Sequence, residues 1–328
     1  MRILIAKPRG FCAGVDRAID VVEAALEIFG PPVYMRHQIV HNRYIVEQLE
    51  KKGAVFVEKT ADIPEGANVV FSAHGVSQKV REEAKQRNLK VIDATCPLVM
   101  KVHFEVGLYA QKGYSIILIG HKGHVEMEGT IGEAPEAVTL IETIDEAKNL
   151  EIQNPERCII LTQTTLSLDD TSEIISELKK RFPNIIEPPK EDICYATTNR
   201  QIAVKNLAKK CQLILAIGSP ESSNTNRLRE AAEKAGALAH LIQRAADIKE
   251  DWLENIDTVG ITAGASAPEE LVTEVVDWLK KHGGGEPEEL VALEENVRFT
   301  LPADIIDKAR ETGKAQELLE KHTLSTSS

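Results

Sequence analysis

The chain has 328 residues, a net charge of −12, 43% hydrophobic and 27% charged residues. At about 100–200 residues per domain that length allows two or three domains, and the composition is that of an ordinary globular protein. A duplex-binding protein needs a basic footprint. No Lys/Arg run supplies one, so nucleic acid is not an expected partner, and on this acidic chain a phosphate ligand requires a dedicated local site.

The first apolar run, Ile3 to Ala6, is too short for a signal peptide. No stretch approaches the length of apolar residues that spans a bilayer. The expectation is a cytoplasmic chain with no membrane partner. Five cysteines, an odd number in a long chain, argue against a disulfide framework. The polar stretch from about Arg310 to Ser328 is expected to be loosely ordered.

Taken in chain order, short Val/Ile/Leu runs alternate with helical patterns, which predicts α/β architecture with largely parallel sheets. The first strand, RILIA, leads into a loop holding Cys12 and then an amphipathic helix. VYMRHQIVHNRY follows with His41, then VVFSAHGVSQ with Ser72, His74 and Ser77. The order then repeats. LKVIDATCPLVM holds Cys96, SIILIGHKGHVEMEGT holds His124 and Glu126, and IILTQTTLSLDD holds Thr164, Thr165 and Ser167. It repeats again, with Cys194 in EDICYATTNRQ, Ser222, Ser223 and Asn224 in LILAIGSPESSNTNRL, and Thr262 and Ser266 in VGITAGASAPEE.

Two landmarks move in step along this repeat. Cys12 and Cys96 are 84 residues apart, and His41 and His124 are 83 apart. Cys96 and Cys194 are 98 apart, and His124 and Ser223 are 99 apart. The reading is three similar α/β lobes, residues 1–96, 97–192 and 193–283, with a C-terminal extension at 284–328. Ligands of open α/β sheets bind beyond the carboxyl ends of the strands. Equivalent loops of three similar units would therefore face one pseudo-threefold (trefoil) centre.

Cysteine thiolates bind zinc or iron–sulfur clusters. Cys158, inside RCIILTQ, and Cys211, beside LILAIG, read as core. Cys12, Cys96 and Cys194 each lie at a helix start, where the positive end of the helix favours a thiolate. There is no CxxC pair, so the usual structural zinc spacings are absent. Three equivalent cysteines match three corners of a 4Fe-4S cluster and leave the fourth iron open as a Lewis acid. A zinc ion with three thiolates and a water or histidine is the competing reading.

The remaining loops carry anion donors. His41, His74 and His124, and in corresponding places Thr164, Thr165, Ser222, Ser223, Asn224 and Ser266, lie near expected helix starts, which are natural anion sites. Ser266-Ala267-Pro268-Glu269 also reads as a capping box. With no P-loop and no GxGxxG, a nucleotide cofactor is not indicated. Glu126 shares the His124 loop and is placed to deliver a proton; Glu128 is the alternative.

PRGFCAGVDRAI, VHNRY, FSAHGVS, DATCPLV, HVEMEGT, QTTLS, DICYATTNRQ and TAGASAP together resemble the 4-hydroxy-3-methylbut-2-enyl diphosphate reductase family, from about Arg2 to about Gly285. The resemblance implies three α/β lobes around a central 4Fe-4S cluster held by Cys12, Cys96 and Cys194. It implies a diphosphate held by His41, His74, His124, Ser222, Ser223, Asn224 and Ser266. Glu126 matches the proton source, Thr164 a contact to the substrate hydroxyl, Thr165 its neighbour, and Thr197 a residue close to the pocket. The implied reaction is a reductive dehydroxylation giving isopentenyl and dimethylallyl diphosphates, with ferredoxin or flavodoxin as electron donor. One departure is Val125, where the family commonly has proline.

Overall fold

A computed structural model of the chain describes residues 1–314 and Leu318. From residue 315 on, Leu318 excepted, the expected loose tail lies outside the described residues. Among the described residues the fold has twelve strands: β1 (Arg2–Lys7), β2 (Val33–Arg36), β3 (Ala54–Val57), β4 (Asn68–Phe71), β5 (Lys90–Asp93) and β6 (Ser115–Ile119). These are followed by β7 (Val138–Ile141), β8 (Cys158–Thr162), β9 (Leu213–Ile217), β10 (Leu238–Ile242), β11 (Thr258–Ala263) and β12 (Pro287–Val291).

The strands form three sheets, ordered β10-β9-β11-β1-β12, β3-β2-β4-β5 and β7-β6-β8. Every pair in the first two is parallel. Parallel sheets are covered by helices on both faces, so their strands read as unbroken apolar runs. The runs SIILI, CIILT and LILAI of β6, β8 and β9 are buried at every residue.

One strand order underlies all three sheets. In β3-β2-β4-β5 the loops after β2, β4 and β5 carry His41, His74 and Cys96. In β7-β6-β8 the loops after β6 and β8 carry His124 and Thr164. Ile186 then bridges Ile159 in parallel beside β8, and its chain runs on to Cys194. In β10-β9-β11-β1 the loops after β9, β11 and β1 carry Ser222, Ser266 and Cys12. Three similar α/β sheets are therefore present. The first strand does not join β2 and β4 within residues 1–96, however, but pairs with β11.

The chain groups into two compact units. The first comprises Met1–Cys12, Ile117–Gly120 and Thr139–Val297, and contains the five-stranded sheet. Leu4, Ala6, Val204, Leu207, Ile214 and Leu228 form a core within it. The second comprises Ala13–Ile116, His121–Val138 and the chain from Arg298 on, and contains the four-stranded sheet. Val69, Phe71, Val76 and Val80 pack at its core. No described helix is long and apolar enough to cross a membrane.

Candidate functional site

In the second unit three imidazoles meet. The His41 and His74 rings stack with centroids 4.2 Å apart, and His124 stands edge-on to them at 5.3 and 5.9 Å. Each leaves the carboxyl end of a different strand: β2, β4 or β6. Capping turns the chain sharply after each. The Asn42 side chain accepts from the Ile45 N–H and starts the helix Arg43–Lys51; Ser77 does the same for Gln78–Gln86. His124 is itself the N-cap of the helix Val125–Ile131, and its Nδ1 accepts from the Glu126 N–H at 3.1 Å. Val125 takes the first helical position, where proline is pre-organised, so the helix forms without it.

That bond fixes a tautomer. With Nδ1 accepting, the neutral ring carries its proton on Nε2 and can donate it. Burial pushes the His124 pKa down to about 3, with the His41 and His121 charges adding to the effect. Burial likewise holds His74 well below the ordinary histidine value, helped by His41, His124 and His37. A buried site cannot hold several like charges together, so the His74 and His124 rings are neutral donors until an anion arrives.

Glu126 is 3% exposed, whereas Glu128 faces solvent. At 3.6 residues per turn, positions two apart fall on roughly opposite sides of a helix. Only Glu126 therefore turns inward. Gly129, on the same helix, lies against Gly75, the residue after His74: a Cβ on Gly129 would stand 3.3 Å from the Gly75 carbonyl carbon. Gly75 itself has φ +79°, and its Cβ would be 2.8 Å from the ring of His103. His103 is held from behind by Glu133, Nδ1 to Oε1 at 2.9 Å.

In the first unit the remaining polar residues form a connected network. Cys194 is the N-cap of the helix Tyr195–Ala208; its sulfur accepts from the Thr197 N–H at 3.4 Å and shares a 3.2 Å hydrogen bond with Thr197 Oγ1. Asn224 Nδ2 donates to the same hydroxyl at 3.1 Å, and Asn224 Oδ1 accepts from the N–H of Ala265, next to Ser266. The Cys194 N–H donates to the Thr164 carbonyl, and the Ser223 hydroxyl to that of Thr165. Ser222 caps the helix Ser223–Lys234. Thr225 sits so close to Gly264 that a Cβ there would stand 2.1 Å from its hydroxyl. The Thr225 side chain thus packs directly on the backbone of the Ser266 loop.

The capping box expected at Ser266 does not form. The helix begins at Glu269 with Pro268 at its N-cap. Ala267 precedes a proline and is pushed out of the helical region, so the helix starts late and Ser266 stays in the loop.

Cys12 directly precedes the helix Ala13–Phe29, and Cys96 is the N-cap of Pro97–Gln111. None of the five cysteines forms a disulfide. Cys12, Cys96 and Cys194 are half-buried; Cys158 and Cys211 are buried. Burial pushes the Cys158 thiol up and the Cys211 thiol up to about 11, as expected of thiols packed in the core. Among the described residues no three His, Cys, Asp or Glu side chains gather tightly enough to hold one metal ion. The ligands of a cubane each bind a different iron and stand further apart. Three half-buried sulfurs at helix N-termini fit that donor set.

Arg17, His103, Gln163 and Arg200 adjoin the site although no sequence motif marks them as site residues. All are buried beside site loops; Gln163, for example, donates to the Thr165 hydroxyl at 3.0 Å. Their only local signal is a polar residue on a stretch that otherwise reads as buried.

The molecule belongs to the α/β proteins whose parallel sheets each send polar and cysteine-bearing loops from the carboxyl ends of their strands. A family model described as LytB protein matches residues 3–280. The chain belongs to the LytB family. It is 54% identical over 308 residues to 4-hydroxy-3-methylbut-2-enyl diphosphate reductase of Haemophilus influenzae, covering 93% of this chain and 98% of that one. The structure of E-1-hydroxy-2-methyl-but-2-enyl-4-diphosphate reductase from Plasmodium falciparum matches with a TM-score of 0.91 at 39% identity, over 95% of this chain and 99% of that one. A second solved structure, (E)-4-hydroxy-3-methyl-but-2-enyl diphosphate reductase, described as the terminal enzyme of the non-mevalonate pathway, matches with a TM-score of 0.62 at 31% identity, over 86% and 100%.

Proposed function

We propose that this chain is an oxidoreductase that converts 4-hydroxy-3-methylbut-2-enyl diphosphate into isopentenyl and dimethylallyl diphosphates, the closing step of the non-mevalonate pathway. The observation that carries the reading is the three-imidazole cluster with Glu126 buried beside it on the His124 helix. Relatives bearing this activity cover nearly the whole chain.

Cys12, Cys96 and Cys194 would hold a 4Fe-4S cluster. When bound, that group supplies electrons one at a time and a Lewis-acidic iron. The protein's own residues do the rest. His41, His74 and His124 donate N–H groups to the diphosphate, joined by Ser222, Ser223, Asn224 and Ser266. The loss of ring neutrality that binding allows adds charge-assisted hydrogen bonds. Glu126 holds a proton for the departing hydroxyl, which leaves as water, and Thr164 orients that hydroxyl. Thr165 and Thr197 keep the hydroxyl-bearing loops in place. The balance is two electrons and two protons in, one water out. Which carbon takes the second proton decides the product. Ferredoxin or flavodoxin is the electron donor this chemistry suits, since both deliver single electrons.

The test is anaerobic purification, iron and sulfide analysis, and reductant-dependent product analysis with the diphosphate substrate. Both products appearing only with reductant supports the reading. A full cluster without product, or turnover by a zinc-loaded chain needing no reductant, overturns it.

A further inference from the structure

Two buried arginines occupy positions that the proposed reaction does not use. Arg200, fully buried, follows Cys194 on the same helix. Its Nε and Nη2 both donate to the Gly10 carbonyl, at 3.0 and 2.8 Å, and Nη2 also reaches the Phe11 carbonyl at 3.0 Å. Those two carbonyls immediately precede Cys12. Nη1 donates to the carbonyl of Ala196, two residues after Cys194, at 3.1 Å. One guanidinium therefore ties the Cys12 loop to the first turn of the helix that Cys194 caps. Its remaining bonds go to the Glu295 carboxylate, at 3.0 and 3.1 Å, and Asn199 donates to the same carboxylate at 2.9 Å.

Arg17 repeats the arrangement in the second unit. It is 8% exposed and donates to the carbonyl of Thr95, the residue before Cys96, at 3.0 Å. Its Nε donates to the Thr300 carbonyl at 2.9 Å. Burial pulls its pKa below the ordinary arginine value, opposed by the charges of Cys96, Asp93 and Asp304.

We propose that Arg17 and Arg200 are positioning residues for the three cysteines, and that the chain beyond residue 285 is recruited through Glu295 and Thr300 to hold their guanidiniums in place. This rests on the cluster reading above. A buried guanidinium is costly unless its donors are filled; here the carbonyls flanking each cysteine fill them, so the arginine and the loop hold one another. Arginine's planar fork suits this role, and lysine cannot reproduce it. Groups behind metal ligands fix ligand orientation, and losing them costs about 10–100-fold in metal affinity. Glu295 and Thr300 lie outside the matched family range, which ends at residue 280, yet each contacts one of the two arginines.

The experiment compares wild type with R200K, R17K and E295Q, all full length and reconstituted anaerobically. The readouts are iron per chain, the rate of iron loss to a chelator, the electron paramagnetic resonance lineshape of the reduced cluster, and the melting midpoint of each apo-protein. The expected result is iron loss about 10-fold faster and an altered lineshape in all three variants, with apo melting close to wild type. E295Q, at a partly exposed carboxylate, is the mildest change and decides the matter where an arginine variant folds poorly. Iron retention and lineshape equal to wild type overturn the proposal, as does iron loss that merely follows the order of apo-protein unfolding. A wild type that takes up no cluster overturns the functional reading instead.

Discussion

The backbone N–H of Glu126 donates to Nδ1 of His124 across 3.1 Å, so one ring anchors both the start of a helix and the proton that its far nitrogen offers. The carboxyl assigned to proton delivery and an imidazole assigned to the diphosphate are thus fixed in one rigid turn. Glu126→Gln preserves this backbone bond and removes only the transferable proton. The expected outcome is an unchanged visible spectrum of the reconstituted chain with turnover reduced about 100-fold or more. Glu128→Gln is expected to leave turnover near wild type; if the two losses were exchanged, the assignment would move to Glu128.

Acid should weaken the fold through His124. Its pKa is about 3 in the folded chain and about 6.5 when exposed to water. Above pH 6.5 both states are neutral and the ring contributes nothing. Below it the unfolded chain takes up a proton that the folded ring refuses, so stability falls toward pH 3, by at most about 1.4 kcal/mol per pH unit. His124→Asn carries no such proton. Urea midpoints of the apo-protein at pH 7 and pH 5 should therefore differ less in the variant than in wild type.

Cysteine chemistry separates the two classes of thiol. Brief iodoacetamide treatment of the reduced, native apo-protein should label Cys12, Cys96 and Cys194 while sparing buried Cys158 and Cys211. Peptide mass spectrometry before and after denaturation reads this directly. Cys12→Ser should fail to retain a complete cluster, as measured by iron and sulfide content; a stable, full complement in that variant would remove Cys12 from the ligand set.

Thr197 gives the Cys194 sulfur a backbone hydrogen bond and lies within reach of a second through its hydroxyl. Hydrogen bonds to cluster sulfurs stabilise the more negative, reduced state and help set its potential. Thr197→Val removes the hydroxyl at nearly constant volume. The midpoint potential of the reconstituted cluster should fall, and an unchanged redox titration would leave Thr197 with a packing role only.

Gly75 is the tight point behind the imidazole cluster. Gly75→Ala asks a side-chain-bearing residue to adopt φ +79° and presses a methyl group into His103. A loss of about 1–2 kcal/mol from the backbone alone should appear in thermal unfolding. Affinity for inorganic diphosphate should fall as well, because His74 is the adjoining residue.

The recurrence of loop types and the placing of a cysteine at each helix start were both readable from residue pattern, because they are local. Apolar runs such as SIILI and LILAI mark strands buried on both faces, and Cys96 and Cys194 stand at the N-caps their surroundings suggested. A repeat, however, reads the same whichever of its members is counted first. Sequence spacing could not tell whether Cys12 belongs with His41 and His74 or with Ser222 and Ser266. The pairing of β1 with β11 groups it with the serines, and that choice is made by hydrogen bonds between segments some 250 residues apart.

Arg200 shows the same boundary. On its helix it is one polar residue among many, and its meaning lies in carbonyls 189 and 190 residues away. Sequence alone determined the chemistry on offer at each strand end, since helix starts, caps and apolar runs depend on near neighbours. Only the tertiary structure decided which ends share a sheet and which buried charge holds which loop, because those energies arise from desolvation and hydrogen bonding between residues distant in the chain.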